Sequence, residues 1–269
     1  MVPRSTTVSY NRRSGKFFCG ASAGHLEMLA RHIHLHPRLR RLDIEDRGLT
    51  QTPLSQKLTV TLLANITFLS VNSPNFVRPI ITFGESPVTL PALQTLLWHT
   101  CFNYAEPFPF AILDLPSLRH LSLTYDPACV QVLDIGRRYP KLVSLHVLAA
   151  IDECAPLRFP SLAHFPQLEE LSLNKPFDPD APTLIPPLHP LQRLYLRITL
   201  SKNGLIELFQ RIMRDSPKHL RLISVRDSWS YLFGKNSAWR ALAAESEAKN
   251  IQLLDREGLD LSTALKAVE

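Results

Sequence analysis

Glycine is scarce in this 269-residue chain: nine occur, against 22 prolines, where average usage would give roughly 19 and 13. That balance excludes long flexible connectors and implies stiff ones. Cysteine is also sparse. Cys19, Cys101, Cys129 and Cys154 stand far apart, with no CxxC pair and no dense framework, so they read as free thiols of a reducing compartment. No apolar run reaches the 18 residues that a membrane-spanning helix needs, and the first residues lack the apolar core of a secretory signal. Residues 1–26 contain no acid and carry Arg4, Arg12, Arg13 and Lys16 among several serines and threonines, a composition shared by transit peptides and by short basic tails; a basic tail, residues 1–24, is the reading adopted. The compartment implied is intracellular, cytoplasmic or nuclear.

Catalytic signatures are equally thin. Gly15 and Gly20 have the separation of a phosphate-binding loop, but Ala21 stands where its lysine belongs. HExxH and GxGxxG do not occur. His32 and His36 could share a helical face as metal ligands, yet no cysteine or acid nearby completes a site. No cofactor or metal is expected, and the chain reads as a non-enzyme. The formal charge of +6 arises wholly near the start: residues 1–60 hold ten Lys or Arg and four Asp or Glu, and the remainder holds 20 of each. A nucleic-acid groove would carry its basic residues along its whole length, so the distribution argues against nucleic acid as a partner.

What the chain has is a repeat. An apolar residue, two others, a second apolar residue, one other and a third apolar residue recur from Leu39, Ile66, Leu93, Leu118, Leu142, Leu168, Leu191 and Leu220, at spacings of 27, 27, 25, 24, 26, 23 and 29 residues. All 24 positions are apolar, and only Trp98 is not aliphatic. The spacing is that of leucine-rich repeats. Each unit supplies a short strand that cannot bury its apolar side alone, so neighbours must stack. The predicted fold is an α/β leucine-rich-repeat solenoid, a horseshoe with a parallel concave sheet and mixed helical and extended convex connectors. It covers residues 25–226 in about eight repeats, with a C-terminal cap over 227–269.

Five repeats carry a proline two residues before the first apolar position, Pro37, Pro91, Pro116, Pro140 and Pro166, where the fixed φ and missing donor end a preceding helix and launch a strand. Helical spacing predicts a helix over 25–36 before the first strand, and further helices over 54–63, 128–139 and 205–214, the last capped by Ser201 or Asn203. Prolines at 176, 179, 182, 186, 187 and 190 exclude a regular helix there and predict an extended crossover; residues 152–166 look alike. In the cap, a helix over 236–248 should bury Trp239 and Leu242, Ile251 to Leu254 should form a last strand, and a short helix should begin near Ser262.

Alternation along each strand turns the repeated apolar residues inward and their neighbours outward. Among the outward residues, Arg193, Tyr195, Arg197 and Arg226 form a basic cluster with one aromatic, close in sequence to Trp229 and Tyr231. Arginine, tyrosine and tryptophan dominate binding hot spots because they bury large area and make forked or polar contacts. Ordinary solvated strand residues, with Trp229 packed in the cap, are the alternative. His120 and His146 also point outward, with Ser122 and Ser144 beside them; a hydrolytic pairing is conceivable, but a wide open face neither excludes water nor supplies an oxyanion hole. The aromatic loop holding Phe102, Tyr104, Phe108 and Phe110 reads as a cover for the core beneath it.

The units Leu115-Pro116-Ser117-Leu118-Arg119-His120-Leu121-Ser122-Leu123 and Phe165-Pro166-Gln167-Leu168-Glu169-Glu170-Leu171-Ser172-Leu173 resemble those of fungal F-box-type leucine-rich-repeat proteins, and Tyr139-Pro140-Lys141-Leu142 is similar. The resemblance covers residues 25 to about 255. It implies a protein-binding domain whose repeats hold a substrate, with an F-box docking onto a ubiquitin ligase. The departure is that no F-box-like Leu-Pro start with paired short helices stands before residue 25. A repeat scaffold with no ubiquitin role is the alternative.

Overall fold

The computed structural model describes residues 8–11, 16–20, 23–45, 55–73, 83, 86–100, 112–125, 132–149, 162–174, 184–197, 201–229 and 237–267. Contacts divide the chain into two compact units, Met1–Gln131 and Val132–Glu269.

The first unit contains β1 (Val8–Asn11), β2 (Lys16–Gly20), α1 (Ala23–Arg31), β3 (Arg41–Glu45), α2 (Gln56–Leu63), β4 (Phe68–Ser73), β5 (Val88–Thr89), β6 (Thr95–Thr100), β7 (Leu113–Asp114) and β8 (His120–Tyr125). Strands β2, β3, β4, β6 and β8 are neighbours in that order, all parallel. Residues 8–11 and 16–20 form strands where a tail is expected. β1 pairs antiparallel with β2, and β2 extends the parallel sheet beyond β3, because an apolar-rich stretch such as Lys16-Phe17-Phe18-Cys19 can complete an open edge without carrying the repeat pattern.

The second unit contains α3 (Val132–Arg138), β9 (Ser144–Ala149), β10 (Glu170–Leu173), β11 (Arg193–Leu196), α4 (Lys202–Asp215), β12 (Leu222–Val225), α5 (Ser237–Ala248), β13 (Gln252–Leu254) and α6 (Leu261–Lys266). Its five strands are parallel and adjacent in chain order. The architecture is mixed α/β with parallel strands joined by helical and irregular connectors.

Register repeats with the sequence. Leu42, Leu69, Leu96 and Leu121 are partners across the first unit, and Leu145, Leu171, Leu194, Ile223 and Leu253 across the second. All 24 pattern residues are at most 3% exposed, and each buried aliphatic side chain contributes about 1.5–3 kcal/mol. At six steps one carbonyl accepts two successive N–H groups at the start of the next strand: Arg40, Thr67 and Gln94 in the first unit, Val143, Glu169 and Gln192 in the second; at the last step Arg221 accepts from Gln252 alone.

The prolines act more specifically than as helix terminators. Leu39, Leu93, Leu118, Leu142 and Leu168 each donate their N–H to the carbonyl three residues back, so each proline is the second residue of a β-turn, the position its fixed φ suits. Repeat seven, with Pro190 displaced by one residue, lacks this arrangement. Its Leu191 N–H is accepted by Nδ1 of His189 at 3.2 Å, and His189 Nε2 lies 3.0 Å from the carbonyls of both Leu162 and Phe165. The ring therefore carries its proton on Nε2. Burial lowers the His189 pKa, against the pull of the two carbonyls.

Helices fall close to where periodicity placed them. Ser201 caps α4, its hydroxyl accepting from Gly204 N–H, and Asp260 caps α6. At the other end of α4, Ser216 turns left-handed (φ 48°) and Lys249 Nζ donates to the Met213 carbonyl at 2.8 Å, placing a cation on the negative helix terminus. Trp239 and Leu242 are buried on α5. α1 ends earlier than expected, at Arg31, and Ile33–Leu35 tightens into a 3-10 turn; Pro37 disfavours helical geometry at His36. His32 and His36 thus do not share an α-helical face, and His32 Nδ1 instead donates to the Met28 carbonyl at 2.9 Å. Gly136 in α3 is required by close approach, since a Cβ there would lie 2.7 Å from the His164 carbonyl oxygen.

Candidate functional site

Parallel in-register pairing converts the outward residues of the second unit into rows. One row runs Ser144, Glu170, Arg193, Leu222 and the next His146, Ser172, Tyr195, Ser224. Two residues further on stand Leu148, Asn174, Arg197 and Arg226. His146, Leu148, Glu170, Ser172, Asn174, Tyr195, Arg197 and Arg226 line an open depression of about 640 Å³.

Glu170 organises one side of it. Its Oε1 accepts from His146 Nε2 at 2.7 Å and its Oε2 meets Arg193 Nη2 at 3.1 Å, so one carboxylate ties β9 to β11 across β10. The carboxylate is well shielded, 18% exposed, while Arg193 is half exposed. Arg193 is therefore a partner in an internal charge pair.

Arg197 and Arg226 are different. They follow β11 and β12 at equivalent register positions, one strand spacing apart, which is about 4.8 Å. Both are exposed, and among the described residues neither makes an ion pair. The Arg197 guanidinium lies 5.8 Å from the centre of the Tyr195 ring, close enough for the ring face to attract it. Two guanidinium forks with neighbouring aromatic and aliphatic surface can bind a carboxylate or another planar oxyanion in bidentate fashion.

Among the eight residues expected to contact a partner, the structure gathers His146, Tyr195, Arg197 and Arg226 around the depression, with Arg193 on its margin. His120 is exposed on β8 in the first unit. Trp229 is a correction: it is 1% exposed, its indole N–H donates to the Leu259 carbonyl at 2.7 Å, and its ring packs edge-on against Trp239 at 5.9 Å. Buried Asp255 holds the same corner, its Oδ2 accepting from the Trp229 N–H and its Oδ1 from the N–H groups of Glu257 and Leu259. Trp229 fills the cap core and cannot touch a partner. Tyr231, the aromatic loop 102–110, and Cys101, Cys129 and Cys154 lie outside the described residues.

Glu170 and Asn174 are the site residues that hot-spot composition passes over. The register brings Glu170 within reach of both Arg193, opposite it on the next strand, and His146, diagonal to it. In the first unit, His99 Nε2 and Ser122 Oγ meet at 2.9 Å. The two residues stand on β6 and β8, whose backbone N–H groups pair within the sheet, so among the described residues no backbone oxyanion donor converges on the contact. Gly20-Ala21-Ser22-Ala23-Gly24 also fits the Gly-x-Ser-x-Gly spacing of a nucleophile elbow between a strand and a helix, but Ser22 lies outside the described residues. Among the described residues no group of three His, Cys, Asp or Glu could hold a metal, and no helix is long and apolar enough to cross a membrane. The chain matches no family model, no curated protein and no solved structure.

Proposed function

We propose that this chain is a non-enzymatic protein-interaction module, a leucine-rich-repeat solenoid that holds a partner against the outward residues of its strands. In-register burial of the repeated apolar positions supports the solenoid. The observation that carries the function is the depression in the second unit, where half-buried Tyr195 on β11 and exposed Arg197 and Arg226 at the ends of β11 and β12 stand over a packed core. Such rigid presentation lowers the entropy cost of association. The resemblance to F-box-type repeats extends this reading to substrate recognition for ubiquitin transfer.

Two measurements test it. Affinity purification of the tagged chain from fungal cells should recover a cullin-type ligase together with a protein partner. Recovery of a partner without ligase components would leave a stand-alone scaffold. A fluorophosphonate probe should leave the purified chain unlabelled; labelling that disappears in Ser22→Ala or His146→Ala would replace the binding module with a serine hydrolase.

A further inference from the structure

We infer that the depression of the second unit takes an extended acidic segment of a protein partner, with an Asp or Glu carboxylate seated on Arg197 and Arg226 and a non-acidic residue over Glu170. The inference rests on the protein-binding reading and adds the chemistry of the partner.

The charges fall in order across the depression. On the β9 side, Glu170 is satisfied by His146 and Arg193, which leaves no strong donor for an incoming acid. On the β12 side, Arg197 and Arg226 present two forks without an acidic partner among the described residues. A carboxylate arriving there replaces water on both guanidiniums and relieves their mutual repulsion. Moved toward β10, the same carboxylate would meet Glu170. That polarity fixes which side of the depression the acidic residue occupies. It also disfavours a polynucleotide, whose phosphates recur at every step and would bring one against Glu170. Tyr195 and Leu148 supply the flat and aliphatic surface on which the rest of a peptide packs.

A random dodecapeptide display library, selected on the full chain, is the probe. Enriched peptides should carry an excess of Asp and Glu. They should bind the Arg197→Gln/Arg226→Gln double variant at least tenfold more weakly by fluorescence anisotropy, and lose affinity between 50 and 300 mM NaCl as screening sets in. A Lys202→Gln/Arg214→Gln control, which removes the same charge from exposed positions of α4, should bind as the wild type does. In a Glu170→Gln variant the selection against an acid at the adjacent peptide position should disappear. Enriched peptides without acidic excess, or undiminished binding by the Arg197/Arg226 variant, would overturn the acidic assignment and leave the protein-binding reading standing. Failure to enrich any peptide would remove both. Displacement of the acidic peptides by equimolar single-stranded oligonucleotide would assign the surface to nucleic acid instead.

Discussion

The outward faces of the two units are built from the same strand alternation but settle their charges differently. In the first unit, Arg41 forks onto Asp43 at 2.7 and 3.1 Å and lies 3.8 Å above the centre of the Phe68 ring, and the hydrogen bond to Asp43 raises its already high pKa. His99 is tied to Ser122, which is itself 8% exposed. These polar groups answer one another. In the second unit, Glu170 answers two of the basic groups, and among the described residues Arg197 and Arg226 have no acidic partner. Equivalent outward positions can thus be paired with one another or left open, according to where the acids fall.

The inner face should not share that difference, and the largest expected effect tests this. Leu121→Asp in the first unit and Leu194→Asp in the second each force a carboxylate into a fully buried position and should cost at least about 4 kcal/mol. Urea denaturation read by hydrogen exchange should show each variant melting its own unit. Loss confined to the other unit, or no loss, would mean the inward register is misplaced.

A feature peculiar to the second unit gives the next effect. His189 is neutral in the fold and its pKa is depressed, so the unfolded chain binds the extra proton first. Its contribution is complete above the ordinary value of 6.5 and is lost as pH falls below it toward the folded pKa. Protonation places a donor on Nδ1 against the Leu191 N–H, a clash of donors that costs about 1–3 kcal/mol. His189→Asn retains an acceptor for Leu191 through its side-chain oxygen and cannot titrate. Urea midpoints at pH 8 and pH 5 should diverge more in the wild type than in His189→Asn, and equal divergence would show that the staple does not sense pH.

The smallest effects bear on the outward faces directly. Arg41→Gln should destabilise by about 1 kcal/mol through loss of the Asp43 fork and the ring contact. Arg197→Gln/Arg226→Gln should move stability by less than about 0.5 kcal/mol. A larger loss in the second case would show that those arginines hold the fold together and are not reserved for a partner.

The buried half of this structure was legible because in-register parallel packing of successive strands uses local arithmetic. A strand's inward residues lie two apart, its neighbours lie one repeat away, and the proline turns mark each start. Caps such as Ser201 are equally local. Legibility failed where a role depends on residues far apart in sequence. His189 sits among prolines and gives no sign that the carbonyls of Leu162 and Phe165, 27 and 24 residues earlier, await it. Trp229 looks like an exposed hot-spot residue until α5 and the turn before α6 close over it. Strands β1 and β2 lack the repeat pattern altogether, and the division near residue 131 leaves no mark in composition. The site was half legible: the cations were visible, but which of them Glu170 neutralises required the register.

The paired N–H donation at these six strand starts has a consequence for assembly. Each of the six strands is anchored by a carbonyl at the start of the strand before it in its own unit, so each addition closes a loop of nearly constant length, 23–29 residues, at nearly constant entropic cost. Within a unit, growth from any formed pair then proceeds by the same elementary step in either direction. A nascent chain can extend its sheet one repeat at a time as it leaves the ribosome, without waiting for a distant partner strand.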